Sequence, residues 1–162
     1  MTFADPATPG EVHRVSQDDW QISACPHHGP SLSISTAGTY HVTWYTSGKA
    51  RKGLFYARSQ DGGRTFSKPL PVGQADRGPS RPYVLADAHG TAIVWKEFDG
   101  EKTTVNLMTS RDDGITWSTP TTIAKTTDTS DHPLLVSDGR RVFLSWMTKA
   151  DGYRFQPIED EP

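Results

Sequence analysis

An all-β chain, in which a unit of four antiparallel strands is repeated three times, is what the sequence predicts. Three observations predict it. Ser59-Gln60-Asp61-Gly62-Gly63-Arg64-Thr65-Phe66 recurs 51 residues later as Ser110-Arg111-Asp112-Asp113-Gly114-Ile115-Thr116-Trp117. Trp44, Trp95 and Trp146 fall at the same interval of 51. Pro30, Pro82 and Pro133 open the three segments at spacings of 52 and 51. Independent landmarks in one phase mark a structural repeat, with one supersecondary unit per repeat.

The strands follow from aromatic and β-branched runs bounded by Gly, Asp and Ser. The first repeat, about residues 30–75, gives Ser31–Ser35, Tyr40–Tyr45, Leu54–Arg58 and Leu70–Val72, with a turn at Thr36-Ala37-Gly38. The second, about 80–126, gives Tyr83–Ala86, Ala92–Phe98, Val105–Thr109 and Thr121–Ala124. The third, about 131–160, gives Leu134–Ser137, Val142–Met147 and Tyr153–Ile158. Val142, Leu144 and Trp146 on one face, with Phe143 on the other, predict a second strand buried on both sides. Four strands per ~50 residues with an aromatic at a fixed place describe a β-propeller blade. The three tryptophans then read as core, and residues 1–162 as one domain.

Composition removes several function classes. Seventeen Lys+Arg against 19 Asp+Glu give a net charge of -2, without the basic excess that phosphate recognition needs. No nucleic-acid partner is expected. Hydrophobic residues are only 34%, and the 10% aromatics, five of them Trp, supply core volume. No apolar run approaches the ~20 residues of a membrane span. One cysteine excludes an internal disulfide. Met1 to Glu11 shows no basic and apolar export signal. A bacterial periplasmic or extracellular location is expected only if a signal peptide has been removed.

The repeated turn has a mechanical reading. Asp61 and Asp112 accept hydrogen bonds from nearby backbone amides in an Asx-type turn. Gly63 and Gly114 take positive φ, Ser59, Thr65, Ser110 and Thr116 flank the carboxylates, and Phe66 and Trp117 anchor the turn on its blade. At these positions the chain resembles the Asp-box, or bacterial neuraminidase repeat, of sialidase-like propellers. The resemblance covers two full blades and a partial third. It implies that the Asp-box carboxylates are structural and lie away from the catalytic face. It also implies a six-bladed ring, of which this chain is half.

Three blades leave two uncovered sheet faces, which need a partner. The third repeat shows no Asp-box, whereas Val12-His13-Arg14-Val15 is strand-like and belongs to no blade. A two-fold homodimer is therefore expected, in which residues 11–16 of one chain complete the third blade of the other; the alternative is a fragment of a longer natural propeller.

The inner strands of a propeller begin around its central channel. In phase, those starts are Ala24-Cys25-Pro26-His27-His28-Gly29-Pro30, Gly78-Pro79-Ser80-Arg81-Pro82 and Ser130-Asp131-His132-Pro133. Cys25, His27, His28 and His132 form a candidate copper or zinc site by ligand softness. Arg81, Asp131 and Lys96 are candidate ligand-binding residues for a small anionic glycan. His13, His41 and His89 read as surface or strand residues, Lys49-Ala50-Arg51-Lys52 as a solvated hairpin loop, and Lys96-Glu97 also as a solvated strand end. The resemblance implies an arginine triad, a Tyr–Glu pair and an acidic acid/base. Here Arg81 has Gly29 and His132 as its phase counterparts, and no Tyr–Glu pair is assembled from Tyr45, Tyr83 and Glu97. No catalytic residue is assigned. The sequence reads as a non-catalytic propeller with a copper or zinc site at the channel. The alternative is a sialidase-like glycoside hydrolase or a binder of sialic acid or another glycan.

Overall fold

A computed structural model of the chain describes residues 11–22 and 29–158. They form three antiparallel sheets and a single 3-10 turn at Ala75–Arg77. The first sheet runs β1 (Ser31–Ile34), β2 (Tyr40–Ser47), β3 (Lys52–Ser59), β4 (Leu70–Val72) in that order. The second runs β5 (Ser80–Asp87), β6 (Gly90–Phe98), β7 (Thr103–Ser110), β8 (Thr121–Thr126). The third has β9 (Leu134–Ser137), β10 (Val142–Thr148) and β11 (Gly152–Pro157), with β10 between the other two. Register carries the repeat: Trp44 lies opposite Phe55 and Trp95 opposite Asn106. The third hairpin is shorter, so Trp146 meets Arg154.

Sheets stack through their faces, so each apolar slab belongs to two blades. Leu54, Tyr56 and Val72 of the first blade pack on Val84, Ile93, Trp95 and Met108 of the second. Val94, Val105, Leu107 and Ala124 of the second pack on Leu135, Leu144 and Trp146 of the third. The middle sheet is therefore covered on both faces, and the adjacent Ile93 and Val94 are both fully buried. Its continuous Ala92-Ile93-Val94-Trp95 run is what two covered faces require. Ile93 and Val94 each contribute about 1.5–3 kcal/mol by burial. The inner strands β1 and β5 are tied side by side, the amides of Val84 and Ala86 donating to the hydroxyls of Ser31 (3.1 Å) and Ser33 (2.9 Å).

The outer blades differ from the sequence reading in three ways. β10 is covered on one face only. Leu144 and Trp146 are buried, while Phe143 stacks at 4.7 Å on an exposed Phe155 and Met147 faces solvent. Trp44 is half-buried, because it points away from the second blade and pairs with Phe55 on the far face. Residues 11–16, expected as a strand only against a partner chain, carry no strand in the single chain. The segment that follows them lies across the β2–β3 hairpin, where Asp18 binds Arg51 (3.2 Å) and Trp20 meets Tyr45 edge-on at 5.6 Å. Arg51, read as part of a solvated loop, is thus paired and also sits over Phe55.

The two Ser-x-Asp turns are built alike. Asp61 accepts the amides of Arg64 (3.0 Å) and Thr65 (2.9 Å) and the Thr65 hydroxyl (2.6 Å). Asp112 accepts the amides of Ile115 (3.1 Å) and Thr116 (2.8 Å) and the Thr116 hydroxyl (2.6 Å). Ser59 and Ser110 donate to these carboxylates and accept the amides of Gly63 and Gly114. The partners come three and four residues on, a wider loop than a simple Asx turn. The Thr65 hydroxyl and amide hold Asp61 well below the usual carboxylate range, and those of Thr116 bring Asp112 down to about 2. Carboxylates so saturated are turn formers.

Candidate functional site

The starts of the inner strands meet in a cavity of about 240 Å³ lined by residues 29–31, 81–83 and 132–134. They overlap the three segments, 24–30, 78–82 and 130–133, that the repeat phase places together, of which 24–28 lie outside the described residues. Arg81 enters from β5 at a bulge, where the register with β6 slips between Ser80 and Tyr83. Its φ is 55, a left-handed conformation that costs a non-glycine residue about 1 kcal/mol. Bulges re-aim side chains in this way. Arg81 is half-buried and forms no ion pair among the described residues.

Lys96, from β6, stands beside it. Its ammonium donates to the carbonyls of Ser130 (3.0 Å) and Asp131 (3.3 Å). Burial lowers its pKa and the Arg81 charge lowers it further, against an opposing pull from Asp131. The Asp131 carboxylate accepts the amide of His132 (2.7 Å), and its carbonyl accepts the indole N–H of Trp146 (3.1 Å). Arg81 and His132 therefore line the cavity, with Lys96 and Asp131 next to them, and the group carries an excess of positive charge. An unpaired guanidinium in a half-buried site is a fork for a carboxylate or another anion.

Other sequence-derived candidates fall elsewhere. Cys25, His27 and His28 lie outside the described residues, and among the described ones no three His, Cys, Asp or Glu side chains group as metal ligands. Glu97 is buried and not a solvated strand end. It accepts the indole N–H of Trp95 (2.8 Å) and the amide of Gln74 (2.8 Å), so its carboxylate braces the approach to β5. Tyr45 packs against the first apolar slab, and Tyr83 lines the cavity.

His41 lies in β2, the strand alternative of its sequence reading and not the surface one, and is fully buried there. It lies 2.8 Å from the Tyr56 hydroxyl and 3.2 Å from Asp113. The sequence reading missed Asp113 and Asp18, polar residues whose partners lie 72 and 26 positions away. Local pattern carries no trace of such pairs.

A larger groove of about 720 Å³ opens at the other end of β5, between the second and third blades, with Leu85, Thr109, Trp117, Val142 and Ile158 among its walls. Its one acid, Asp87, takes the hydroxyl of Ser137 (2.8 Å). Among the described residues no helix is long and apolar enough to cross a membrane.

No family model matches the sequence, and a search of curated proteins finds no match. Solved structures do match. An α-L-arabinanase from Penicillium chrysogenum superposes with a TM-score of 0.65 at 14% identity, over 95% of this chain and 56% of its own. An α-L-arabinofuranosidase from Fusarium graminearum gives 0.60 at 18% identity, over 87% and 46%. A Hadza microbial sialidase gives 0.50 at 18%, over 81% and 33%. At these identities the likeness shows the fold alone. The chain has propeller blades of the kind found in glycoside hydrolases, and spans about a third to a little over half the length of these proteins.

Proposed function

We propose that the cavity at the inner-strand starts is a carbohydrate site that takes an anionic sugar, with the sugar carboxylate held by Arg81 and Lys96 beside it. The observation that carries this reading is Arg81 itself, bent into the mouth by a bulge and left without a carboxylate partner among the described residues. Backbone strain at an unpaired charge is the mark of a position kept for a ligand. The solved structures similar in fold are described as an arabinanase, an arabinofuranosidase and a sialidase, all acting on sugars, which supports this reading over a role unrelated to glycans. The two Ser-x-Asp turns support an Asp-box assignment by their shared hydrogen bonding. In this reading Arg81 and Lys96 bind and orient the sugar. Glu97 is committed to its brace, so hydrolysis would need an acid and a nucleophile beyond those assembled here. No observation on the described residues favours copper or zinc.

A charged hydrogen bond of this kind is worth about 1.5–3 kcal/mol. Calorimetric titration with sialic acid and with a neutral arabino-oligosaccharide tests the proposal. Arg81→Ala should weaken sialic acid binding by about 10- to 100-fold and leave circular dichroism unchanged. Failure of the unaltered chain to bind sialic acid, or binding unchanged in Arg81→Ala, overturns the anionic-sugar reading.

A further inference from the structure

Three tryptophans at one phase show what belongs ahead of the first blade. Each indole N–H is satisfied by a segment approaching its blade or by a group that braces such a segment. At Trp95 the acceptor is Glu97, which also takes the amide of Gln74 in the connection from β4 to β5. At Trp146 it is the carbonyl of Asp131, in the connection from β8 to β9. At Trp44 it is the carboxylate of Asp18 (2.7 Å), ahead of β1. The amides of Lys49 and Ala50 donate to the carbonyls of Asp19 and Asp18, and a Cβ on Gly48 would collide with the Asp18 carbonyl. Residues 18–19 therefore occupy, at the first blade, the place the inter-blade connections occupy at the others.

Those connections arrive from an outer strand. β4 ends at Val72, just before Gln74, and β8 ends at Thr126, shortly before Asp131. By the same path, residues 11–16 stand where the outer strand of a preceding blade would finish. Among the described residues no strand forms there, no backbone–backbone hydrogen bond involves residues 11–17, and Val12 is 89% exposed. The third blade has the reciprocal gap. Among the described residues it has three strands where the others have four, and β11 pairs with β10 alone. Its far face exposes Leu134, Val136, Met147, Tyr153 and Phe155. That face corresponds in phase to the face of the second blade that covers the third. The far face of the first blade, with Trp44, corresponds to the face of the second that packs on the first. Each open face is thus of the type the other meets inside the chain.

We propose that a second copy of this chain seats its first blade on the far face of the third, and that its residues 11–16 add along β11 as the missing fourth strand. The contact is made twice around a two-fold axis, which closes the ring. Strand addition satisfies the outer edge of β11 with main-chain hydrogen bonds. The proposal stands independently of what the channel cavity binds.

The test is the mass of the full chain by native mass spectrometry and light scattering at low micromolar concentration, beside a Val12→Pro/Val15→Pro variant. The two positions have opposite parity, so one of them removes a ladder amide in either register. Neither amide is bonded among the described residues, so the variant should fold with an unchanged circular dichroism spectrum as a monomer. The expected result is a dimer for the unaltered chain and an affinity at least about 100-fold weaker for the variant. A monomeric unaltered chain overturns the proposal, as does a dimer equally tight in the variant.

Discussion

Where the second blade meets the first, its Ser-x-Asp turn reaches back across the gap. Asp113 accepts hydrogen bonds from Thr39 and His41, the guanidinium of Arg58 donates to its carbonyl (3.2 Å), and Trp117 meets Tyr56 edge-on at 4.8 Å. Where the third blade meets the second, the phase equivalents of Thr39, His41, Tyr56 and Arg58 are Gly90, Ala92, Leu107 and Thr109, and all four line the open groove. The repeat thus fixes where a junction lies, while the side chains of each pair of blades decide whether it is locked. Gly114 shows how closely the first junction is built: a Cβ there would collide with the Tyr56 hydroxyl, and its φ of 80 suits glycine alone.

The largest difference should appear on truncation. Tyr56→Ala removes a buried ring that packs on Trp117 and hydrogen-bonds His41, and should cost about 3–5 kcal/mol. Leu107→Ala, its phase equivalent, should cost about 2 kcal/mol, since one side of it already faces the groove. Urea unfolding of the two variants measures both losses. Equal losses would break the comparison and mean that the groove is filled in solution.

How far this contrast could be read beforehand depends on the range of the interaction. Strand positions and sheet order were legible because a period-two pattern and turn residues are local signals, and because each repeat checks the next. The convergence of residues 29–31, 81–83 and 132–134 was legible for the same reason, since phase carries position across blades. The burial of His41 and the half-exposure of Trp44 were not. Both depend on whether a neighbouring sheet covers that face, and the repeat treats Trp44, Trp95 and Trp146 as equals. The Arg81 bulge was also hidden, because nothing in Pro79-Ser80-Arg81-Pro82 specifies a left-handed arginine.

A smaller change isolates the polar clasp. Asp113 sits at φ 58, a conformation that asparagine tolerates, so Asp113→Asn keeps the turn and removes the charge facing His41 and Arg58. It should cost about 1–2 kcal/mol in urea unfolding. Its neighbour Asp112 offers the control. Asp112→Asn should speed hydrogen exchange at the Thr116 amide and leave that of Tyr56, on β3, unchanged. A variant at 112 that loosened β3 as much as one at 113 would blur the distinction between turn and clasp.

The smallest effect is a pH dependence confined to the locked junction. Burial lowers the pKa of His41, Asp113 opposes that shift and Arg58 reinforces it, so the folded ring is held neutral below its ordinary 6.5. A neutral ring satisfies both neighbours, donating from Nε2 to Asp113 and accepting the Tyr56 hydroxyl at Nδ1. The unfolded chain takes up a proton first as pH falls. His41 therefore contributes stability that is complete above about 6.5 and is lost as pH drops toward the folded value. Asp113 acts in the same direction lower down: burial alone would raise its pKa, but hydrogen bonds from Thr39, Ser35 and His41 outweigh that and lower it. Its contribution is lost only below the ordinary carboxylate range. The second junction has Ala92 in the place of His41 and no counterpart to this clasp. Lowering the pH from about 7.5 to 5.5 should reduce the urea midpoint of the unaltered chain, and the slope should flatten in His41→Asn. Hydrogen exchange at about pH 5.5, corrected for its intrinsic rate, should show β2 and β3 losing protection before β9 and β10. The reverse order would mean that the open groove, and not the buried histidine, is where acid first separates the blades.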